Sequence, residues 1–346
     1  MLVSLIFAAV TALGVCLAAH PIARALGVID MPDGRRKLHP RPTPEVGGIA
    51  VSVPLIVVLA WLALTTPFQP LFAAIAVTVT AFAVLGLIDD RSHVRPLYRL
   101  VASVAAAALL LWLLPAERVA FLRFSFLDVA IFPDAWVAVA FTVLCVVGLQ
   151  NALNMADGKN GLAVGLLLTW TILMLGYAPE HLMPVLAALI AALGVVFLFN
   201  LRGVLFLGDA GTYGLSVAVA LLALHTYNVA FDRLHADVVA LWFLIPIVDA
   251  LRLMASRLLR GQSPFAPDRK HLHHVLQAIL PAWPAGGRLG LYLALVAVPG
   301  ALAGFYPELT LLWALLALSA YATIMLASLL PQSRHSRASL SSHPHV

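Results

Sequence analysis

Long runs of apolar residues, each close to 20 residues in length, recur along this sequence. A helix of about 20 apolar residues crosses the hydrocarbon core of a bilayer, which is about 30 Å thick. Buried helices of a soluble protein would instead give shorter runs with a polar stripe. Only 11% of the residues are charged, against about 25% in soluble domains. The sequence therefore predicts an all-α polytopic membrane protein.

We predict eleven spanning helices, and we treat residues 1–330 as a single integral membrane domain. The Ser- and His-rich segment 331–346 has little apolar content, so we expect a disordered tail. The predicted spans are 3–23, 46–66, 70–88, 99–114, 135–153, 161–178, 182–200, 211–229, 237–255, 288–306 and 309–329. The first run has no basic segment before it, which favours a retained helix over a cleaved signal peptide.

The distribution of Lys and Arg predicts the orientation of the chain. With the N-terminus outside and the C-terminus inside, eighteen of the 21 Lys and Arg residues fall in inner segments. Such an excess is typical of the cytoplasmic side. Residues 115–134 form the longest outer connection, and we expect them either to lie on the membrane surface or to form a small hairpin.

Two acidic patterns lie at the inner ends of predicted spans. Asp89 and Asp90 are adjacent, so a cation should lie nearby, either Mg²⁺ or the side chains of Arg91 and Arg95. A solvated helix end is the alternative. Asp209 stands between glycines at the start of a span, where it is either a metal ligand or a simple helix N-cap.

Amides and glycines mark a third inner segment. Asn151, Asn154 and Asp157 are spaced three residues apart and share roughly one helix face. Gly158 and Gly161 then end the helix, which exposes backbone N–H groups that suit a phosphate or a nucleotide. A polar turn would explain the glycines but not the two amides in an apolar helix.

The remaining inner segments are basic. His271, His273 and His274 lie beside Arg269, where they suit a diphosphate; zinc is disfavoured because no fourth ligand is adjacent. Asp249 and Arg252 could simply pair with each other. A positive-inside loop explains the basic run around Lys37, but not the pair Gly47-Gly48 that opens the next span. All of these segments face one side, which indicates one composite site.

Taken together, these motifs resemble those of the polyprenyl-phosphate N-acetylhexosamine-1-phosphate transferases, glycosyltransferase family 4, in the branch that initiates O-antigen, common-antigen or teichoic-acid linkage units. The matching motifs are Asp30-x-Pro32, Arg36-Lys37-x-His39, Gly47-Gly48, Asp89-Asp90, Asn151-x-x-Asn154-x-x-Asp157-Gly158-x-x-Gly161-Leu162, Phe206-x-Gly208-Asp209-x-Gly211 and Ser263-Pro264-Phe265-x-x-Asp268-Arg269-x-His271-x-His273-His274. They occur in the family's order. Two departures are Asn160, where the family usually has Asp, and the stretch from Asn200 to Asp209, which lacks the usual Pro and is one residue short.

The resemblance implies an enzyme of the bacterial inner membrane with its active site facing the cytoplasm. It implies transfer of N-acetylhexosamine 1-phosphate, by default GlcNAc 1-phosphate, from a UDP-sugar to undecaprenyl phosphate with release of UMP. Mg²⁺ is the implied cofactor, with Mn²⁺ as an alternative. Another UDP-N-acetylamino sugar or UDP-MurNAc-pentapeptide remains open as the donor. Nucleic acid is not expected as a partner, and a homodimer is left open.

Residue roles follow from the same resemblance. Asp209 is the principal metal ligand, and the catalytic set is Asp89, Asp90, Asp157 and His271. Residues expected to bind substrate are Lys37, Asn151, Asn154, Asn160, Phe206, Arg269, His273 and His274. Phe206 would stack on uracil, although an aromatic residue at a span end is often an interface anchor. A transporter or flippase is the rival function, but polar groups at helix ends on one face disfavour it.

Overall fold

The computed structural model describes residues 1–32, 40–131, 135–266 and 268–330, and of residues 128–131 the backbone alone. These residues form helices joined by loops, short 3₁₀ turns and two strand pairs. The α-helices of the described chain are α1 Leu2–Leu17, α2 Ala19–Leu26, α3 Gly47–Thr65, α4 Gln69–Ser92, α5 Pro96–Leu113, α6 Ala135–Ala156, α7 Leu162–Met174, α8 Met183–Leu201, α9 Gly208–Val229, α10 Ala236–Leu258, α11 Leu272–Ile279, α12 Ala285–Phe305 and α13 Thr310–Ala327. The helical polytopic class is confirmed, whereas the tail 331–346 lies outside the described residues.

Fewer helices than the eleven predicted have the length and hydropathy of a membrane span. Within the described ranges, nine helices are long and apolar enough to cross a membrane. Helices α1 and α2 form a tenth span only if they are counted together, because the chain bends by 72° between them. The predicted span 161–178 corresponds to α7, which has 13 residues. A helix rises 1.5 Å per residue, so α7 is shorter than the hydrocarbon core. The count of eleven is therefore not confirmed.

Two antiparallel strand pairs interrupt the helices. The first joins β1, Ile29–Asp30, to β2, Thr43–Pro44, just before α3. The second is a hairpin of β3, Phe121–Phe124, and β4, Leu127–Ile131. Tyr227 of α9 accepts a hydrogen bond of 2.9 Å from the backbone N–H of Arg123 in this hairpin. Of the two alternatives for residues 115–134, the hairpin is confirmed.

Helix α9 is the central helix of the fold. Every residue from Ala210 to Tyr227 is buried, and α3, α4 and α6 all pack against it. The helix is rich in small residues, which let neighbouring backbones approach closely in a membrane protein. A helix without a lipid-facing side needs little apolar bulk, so α9 can carry polar residues at its N-terminus. The C-terminal ends of α4 and α6 converge on that N-terminus.

Candidate active site

Asp90 connects the end of α4 to the start of α9. Its carboxylate accepts hydrogen bonds from the backbone N–H groups of Asp209, at 2.7 Å, and Ala210, at 3.0 Å. These N–H groups lie in the first turn of α9, where no intrahelical acceptor exists. A carboxylate at this position also interacts favourably with the helix dipole. Asp90 therefore caps α9 from a distant part of the chain and holds the backbone of Asp209 in place.

Asp89 is buried and fully paired. Its side chain accepts hydrogen bonds from the backbone N–H of Val94, at 2.8 Å, and from the hydroxyl of Tyr213, at 2.7 Å. The guanidinium of Arg99 forms a short ion pair with the same carboxylate. Asp89 is only 4% exposed, so the alternative of a solvated helix end is wrong for this residue. The cation that balances it is Arg99, not Arg91 or Arg95 as the local sequence suggested.

Asn154 joins α6 to the metal-ligand candidate. Its side-chain amide donates hydrogen bonds to Asp209 Oδ1, at 2.6 Å, and to the hydroxyl of Thr212, at 3.1 Å. Arg99 Nη1 lies 3.9 Å from the second oxygen of Asp209. Asn151, which precedes Asn154 by one turn, instead donates to the carbonyl of Val147 at 2.8 Å. The predicted polar face of α6 thus reaches the site through Asn154, while Asn151 bonds within its own helix.

Glycines bring three backbones together around Asp209. A Cβ atom on Gly86 would overlap the carbonyl of Asp209, and one on Gly48 would overlap the backbone of Gly211. The N–H groups of Gly47 and Gly48 donate to the carbonyls of Phe206, at 2.9 Å, and Leu207, at 2.8 Å. This contact explains the glycine pair that a positive-inside loop did not, because only a bare backbone fits against the segment leading into α9.

The loop after α6 carries Asp157 from the carboxylate cluster towards the histidines. Asp157 follows Asn154 by three residues, and its neighbour Gly158 lies against His273: a Cβ on Gly158 would be 2.5 Å from His273 Nε2. Burial raises the pKa of the Asp157 carboxyl to about 7. The two groups of predicted site residues, one at α9 and one at α11, are therefore connected by a single short loop.

We predict that Asp157→Asn becomes more stabilising as pH rises. The folded-state pKa of about 7 lies above the ordinary 3.8, so the folded protein binds the proton more tightly than the unfolded chain. Stability contributed by this carboxyl is lost as pH rises from about 4 to about 7. The melting temperature of the variant in detergent, relative to wild type, should therefore be higher at pH 8 than at pH 5.

Asp268→Asn is a matched control for this pH dependence. The pKa of Asp268 is lowered by the backbone N–H of Lys270 and by Arg257, which together outweigh its partial burial. Asp268 thus contributes stability that is already complete above its ordinary pKa, and its replacement should give a constant difference between pH 5 and pH 8. A flat difference for Asp157→Asn would contradict the assignment of a raised pKa.

His271 is anchored by a buried carboxylate of α10. Its Nδ1 lies 3.0 Å from Asp249 Oδ2. The other oxygen of Asp249 accepts from Arg252, at 2.9 Å, and from the hydroxyl of Tyr321, at 2.8 Å. The pairing of Asp249 with Arg252 expected from their spacing is present, and it belongs to a larger network that includes His271.

His273 and His274 complete the imidazole cluster. The His273 ring lies parallel to that of His271, with centroids 5.5 Å apart, and tilts against that of His274 at 4.3 Å. Burial, then the charge of Lys159, lowers the pKa of His274 to about 4. Burial, then the neighbouring imidazoles, lowers the pKa of His273 well below its usual range. His273 and His274 are therefore expected to be uncharged at pH 7 and to contact a ligand by hydrogen bonding rather than by charge.

Basic side chains crowd beside this cluster. Burial, then Arg288 and Arg269, lowers the pKa of Lys159. Arg269 is exposed and also contributes to the lowered pKa of His274. Like charges held close together repel one another, and a bound anion relieves that repulsion. The loop after α6 and the segment before α11 therefore form a region suited to a phosphate group.

A cavity of about 440 Å³ contains two of the predicted substrate-binding residues, Asn160 and Phe206. Arg41, Arg202 and His20 also line it. Its size is in the range of small-ligand sites. Lys37, predicted to contact the nucleotide or a phosphate, lies outside the described residues.

Three contributors to the site were missed by sequence reasoning. Arg99 was counted only as a positive-inside charge, and Tyr213 and Tyr321 are single aromatic residues inside apolar runs. The buried Asn200, which begins the stretch that departs from the family pattern, accepts from the N–H of Gly161 at 2.6 Å and donates to the carbonyl of Leu205 at 2.9 Å. Asn200 therefore joins the loops before α7 and α9. No sequence signal distinguished any of the three missed residues.

The sequence is similar to those of known proteins. The model of glycosyl transferase family 4 matches residues 72–227. An undecaprenyl-phosphate alpha-N-acetylglucosaminyl 1-phosphate transferase of Yersinia pestis is 30% identical over 321 residues, which cover 87% of this chain and 83% of that protein. The chain belongs to glycosyl transferase family 4. The resemblance drawn from the motifs is confirmed.

Other members of glycosyl transferase family 4 are similar over most of the chain. A probable undecaprenyl-phosphate N-acetylglucosaminyl 1-phosphate transferase of Bacillus subtilis is 28% identical over 80% of this chain and 77% of its own length. The corresponding alpha-N-acetylglucosaminyl enzyme of Escherichia coli K12 is 29% identical over 85% of this chain and 82% of its own length. The family region runs from α4 to α9, and it contains Asp89, Asp90, Asn154, Asp157 and Asp209.

Proposed function

We propose that this protein transfers N-acetylglucosamine 1-phosphate from UDP-GlcNAc to undecaprenyl phosphate, releasing UMP. The supporting observation is the 2.6 Å hydrogen bond between Asn154 and Asp209, which joins the end of α6 to the start of α9. The hydrogen bonds of Asp90 join the end of α4 to the same point. The same loop of α6 then reaches the histidine cluster through Gly158. The loop after α6 thus links the carboxylates at α9 to the imidazoles at α11, and we propose that the donor diphosphate binds between them. The relatives' names supply the choice of sugar and lipid.

The cavity of about 440 Å³ is the proposed site of the uridine. We propose that uracil stacks on the ring of Phe206, and the amide of Asn160 can both donate to and accept from the base. Arg41 and Arg202 line the same cavity and add positive charge for the nucleotide phosphate. Asn160 lies one residue from Lys159, so the diphosphate would extend from the cavity towards Arg269 and the histidines.

We predict that Phe206→Leu raises KM for the nucleotide sugar by about 5- to 150-fold, since stacking of a base on an aromatic ring contributes about 1–3 kcal/mol. The backbone N–H and carbonyl of Phe206 pair with Pro44 and Gly47, and leucine keeps both bonds. KM for undecaprenyl phosphate should stay within about twofold of wild type, which serves as the internal control. An unchanged KM for the nucleotide sugar would place the base elsewhere.

Asp209 fits the proposed Mg²⁺ ligand. One of its oxygens accepts from Asn154, and the other lies 3.9 Å from Arg99, beyond hydrogen-bond distance. The side chain is 29% exposed. Among the described residues no group of three or more acidic, His or Cys side chains is arranged to hold a metal. Mg²⁺ is often bound by one or two carboxylates together with substrate phosphates, so a single carboxylate of this kind is sufficient.

The proposed reaction is an in-line displacement at phosphorus. An oxygen of the lipid phosphate forms a bond to the sugar-bearing β-phosphorus, and the bond from that phosphorus to the bridging oxygen breaks, so UMP leaves with the electron pair. Bound Mg²⁺ would neutralise the diphosphate and the leaving UMP. Both reactants are anions, so the chain's main tasks are charge neutralisation and alignment. His271, His274 and Arg269 would hold the diphosphate for this purpose.

Asp89 is proposed to act through Arg99 rather than as a covalent nucleophile. Its carboxylate already accepts from Val94, Arg99 and Tyr213, and these bonds weaken it as a base or nucleophile. The lipid phosphate is largely ionised at neutral pH if its second pKa is about 6, so a strong base is unnecessary. We therefore favour direct transfer, with Asp90 holding Asp209. A phosphoryl group trapped on Asp89 would overturn this choice.

A location in the membrane fits both the lipid acceptor and the side of the membrane on which we propose that the reaction occurs. The polyprenyl tail stays in lipid while its phosphate lies at headgroup level, close to the helix ends that carry the site. The excess of Lys and Arg in the inner segments supports the proposal that these helix ends lie at the cytoplasmic face of the bacterial inner membrane, where soluble nucleotide sugars are available. The product would initiate an envelope polysaccharide.

The decisive assay uses purified protein, Mg²⁺, undecaprenyl phosphate and a panel of UDP-sugars, with UMP and the lipid product both quantified. The expected result is equal amounts of UMP and lipid-linked sugar from UDP-GlcNAc, and loss of both in EDTA. If lipid-linked sugar forms only from another UDP-N-acetylamino sugar, the proposed donor is wrong but the proposed type of reaction is retained. Movement of intact substrate across vesicles without UMP would favour a transporter instead.

A further inference from the structure

Asp249, which is not among the site residues predicted from sequence, is the centre of a buried network. Its carboxylate accepts from His271 Nδ1 at 3.0 Å, from Arg252 at 2.9 Å and from the hydroxyl of Tyr321 at 2.8 Å. The backbone N–H of Leu272 donates to both oxygens, at 3.2 and 3.1 Å. Asp249 is 3% exposed. One carboxylate therefore joins α10, α11 and α13 at a single point.

The partners of Asp249 are arranged so that its own position is fixed. Arg252 Nε donates to Tyr321 Oη at 2.6 Å. Arg252 Nη2 donates both to Asp249 Oδ1, at 2.9 Å, and to the carbonyl oxygen of Lys270, at 2.6 Å. A carboxylate next to a guanidinium and several further donors is held in its ionised form. The network thus holds Asp249 rigidly, and Asp249 in turn supports His271.

The contact with Asp249 determines which nitrogen of His271 is available. An ionised carboxylate can only accept, so the hydrogen on this side belongs to Nδ1. Nε2 is then the ring nitrogen that faces away from Asp249. The ring of His273 lies parallel to that of His271, with centroids 5.5 Å apart, and it also restricts rotation of the His271 ring.

We propose that Asp249 is a positioning residue that presents Nε2 of His271 to the donor diphosphate, with Tyr321 and Arg252 holding Asp249 in place; the inference rests on the proposed function. To donate to a diphosphate oxygen, Nε2 needs a second proton on the ring. Asp249 balances the positive charge which that proton adds. Replacing a residue that orients a functional histidine through its other ring nitrogen typically lowers activity by about 10- to 100-fold.

A purely structural role is the competing interpretation, since Asp249 also accepts from the first N–H of α11. The two roles predict different behaviour in a double-mutant cycle. A positioning residue loses its effect on turnover once His271 is gone, because there is no imidazole left to orient. A structural residue lowers the melting temperature and reduces turnover whether or not His271 is present.

The test compares Asp249→Asn, His271→Gln and the double variant in the UMP assay. We expect Asp249→Asn to lower kcat by about 10- to 100-fold, with KM for undecaprenyl phosphate within about twofold of wild type. Added to His271→Gln, the same substitution should lower kcat by less than about twofold. The inference would be overturned if the two substitutions lowered kcat by factors that multiply in the double variant. It would also be overturned if Asp249→Asn kept the wild-type kcat.

Glu117→Gln provides a matched control. Glu117 pairs with Nδ1 of His225 at 3.1 Å, so the variant makes the same change from carboxylate to amide beside a buried histidine, far from the site. Its kcat should stay within about twofold of wild type. If Asp249→Asn does not fold, Tyr321→Phe removes one donor to Asp249 and should lower kcat by about 2- to 10-fold, with no further effect on His271→Gln. If Tyr321→Phe lowers the kcat of His271→Gln by the same factor as it lowers that of wild type, the inference is likewise contradicted.

The same assay separates the inference from the function on which it rests. If wild-type protein releases no UMP from any UDP-sugar, the proposed function is wrong and the inference falls with it. If wild-type protein is active but the cycle is multiplicative, the reaction stands and only the role of Asp249 is rejected.

Discussion

Asp209→Asn is expected to reduce UMP release by at least about 100-fold, the effect of removing one preorganised electrostatic contact from a transition state. The amide cannot replace a negatively charged oxygen as a ligand for Mg²⁺. Its remaining carbonyl oxygen can still accept the 2.6 Å hydrogen bond from the amide of Asn154, so the variant loses charge while keeping this contact. Initial rates measured over a range of Mg²⁺ concentrations check this, and any residual activity should require more Mg²⁺ than wild type.

Asp237→Asn is the matched control for Asp209→Asn. Asp237 lies in the first turn of α10, as Asp209 does in α9, and it accepts from the backbone N–H of Ser125 in the hairpin at 3.1 Å. The same chemical change at the opposite end of the bundle should leave the rate within about twofold. Wild-type rates in Asp209→Asn, at every Mg²⁺ concentration, would refute the metal assignment.

Gly86→Ala is expected to reduce both stability and activity. A Cβ at this position would overlap the carbonyl of Asp209, and a backbone neighbour cannot move aside as a flexible side chain can. Overpacking of this kind lowers the free energy of unfolding by about 1–3 kcal/mol or more. A displacement of the Asp209 backbone by about 1 Å can lower turnover by about 100-fold. Thermal melting in detergent and the UMP assay measure the two effects.

Gly194→Ala separates this packing effect from the general effect of a helical Gly→Ala change. Gly194 lies inside α8, and a Cβ there would meet nothing within 4 Å. Alanine is favoured over glycine in a helix by about 1 kcal/mol, so this variant should melt at the same or a higher temperature and keep full activity. Equal behaviour of the two variants would show that the contact between α4 and α9 is not tight.

The motifs allowed the family and the general composition of the site to be predicted without any structure. Asp89, Asp90, Asn154 and Asp209 lie together at one end of the bundle because each closes or opens a span on the side rich in Lys and Arg. The residue roles stay predictions, since the geometry shows proximity rather than chemistry. The count of eleven spans was less secure, because apolar run length alone does not show that α7 is too short to cross or that the first run bends by 72°.

By itself, the sequence determined that the chain is a helical membrane protein, to which family it belongs and at which helix ends the predicted site residues lie, because run length, charge bias and motif spacing are local properties. Only the tertiary structure decided which side chains meet. Asp90 caps a helix 119 residues away, Tyr213 reaches Asp89 across 124, and Tyr321 reaches Asp249 across 72. Such contacts depend on how whole helices pack, and packing within lipid is directed by small residues and shape complementarity rather than by any pattern along the chain.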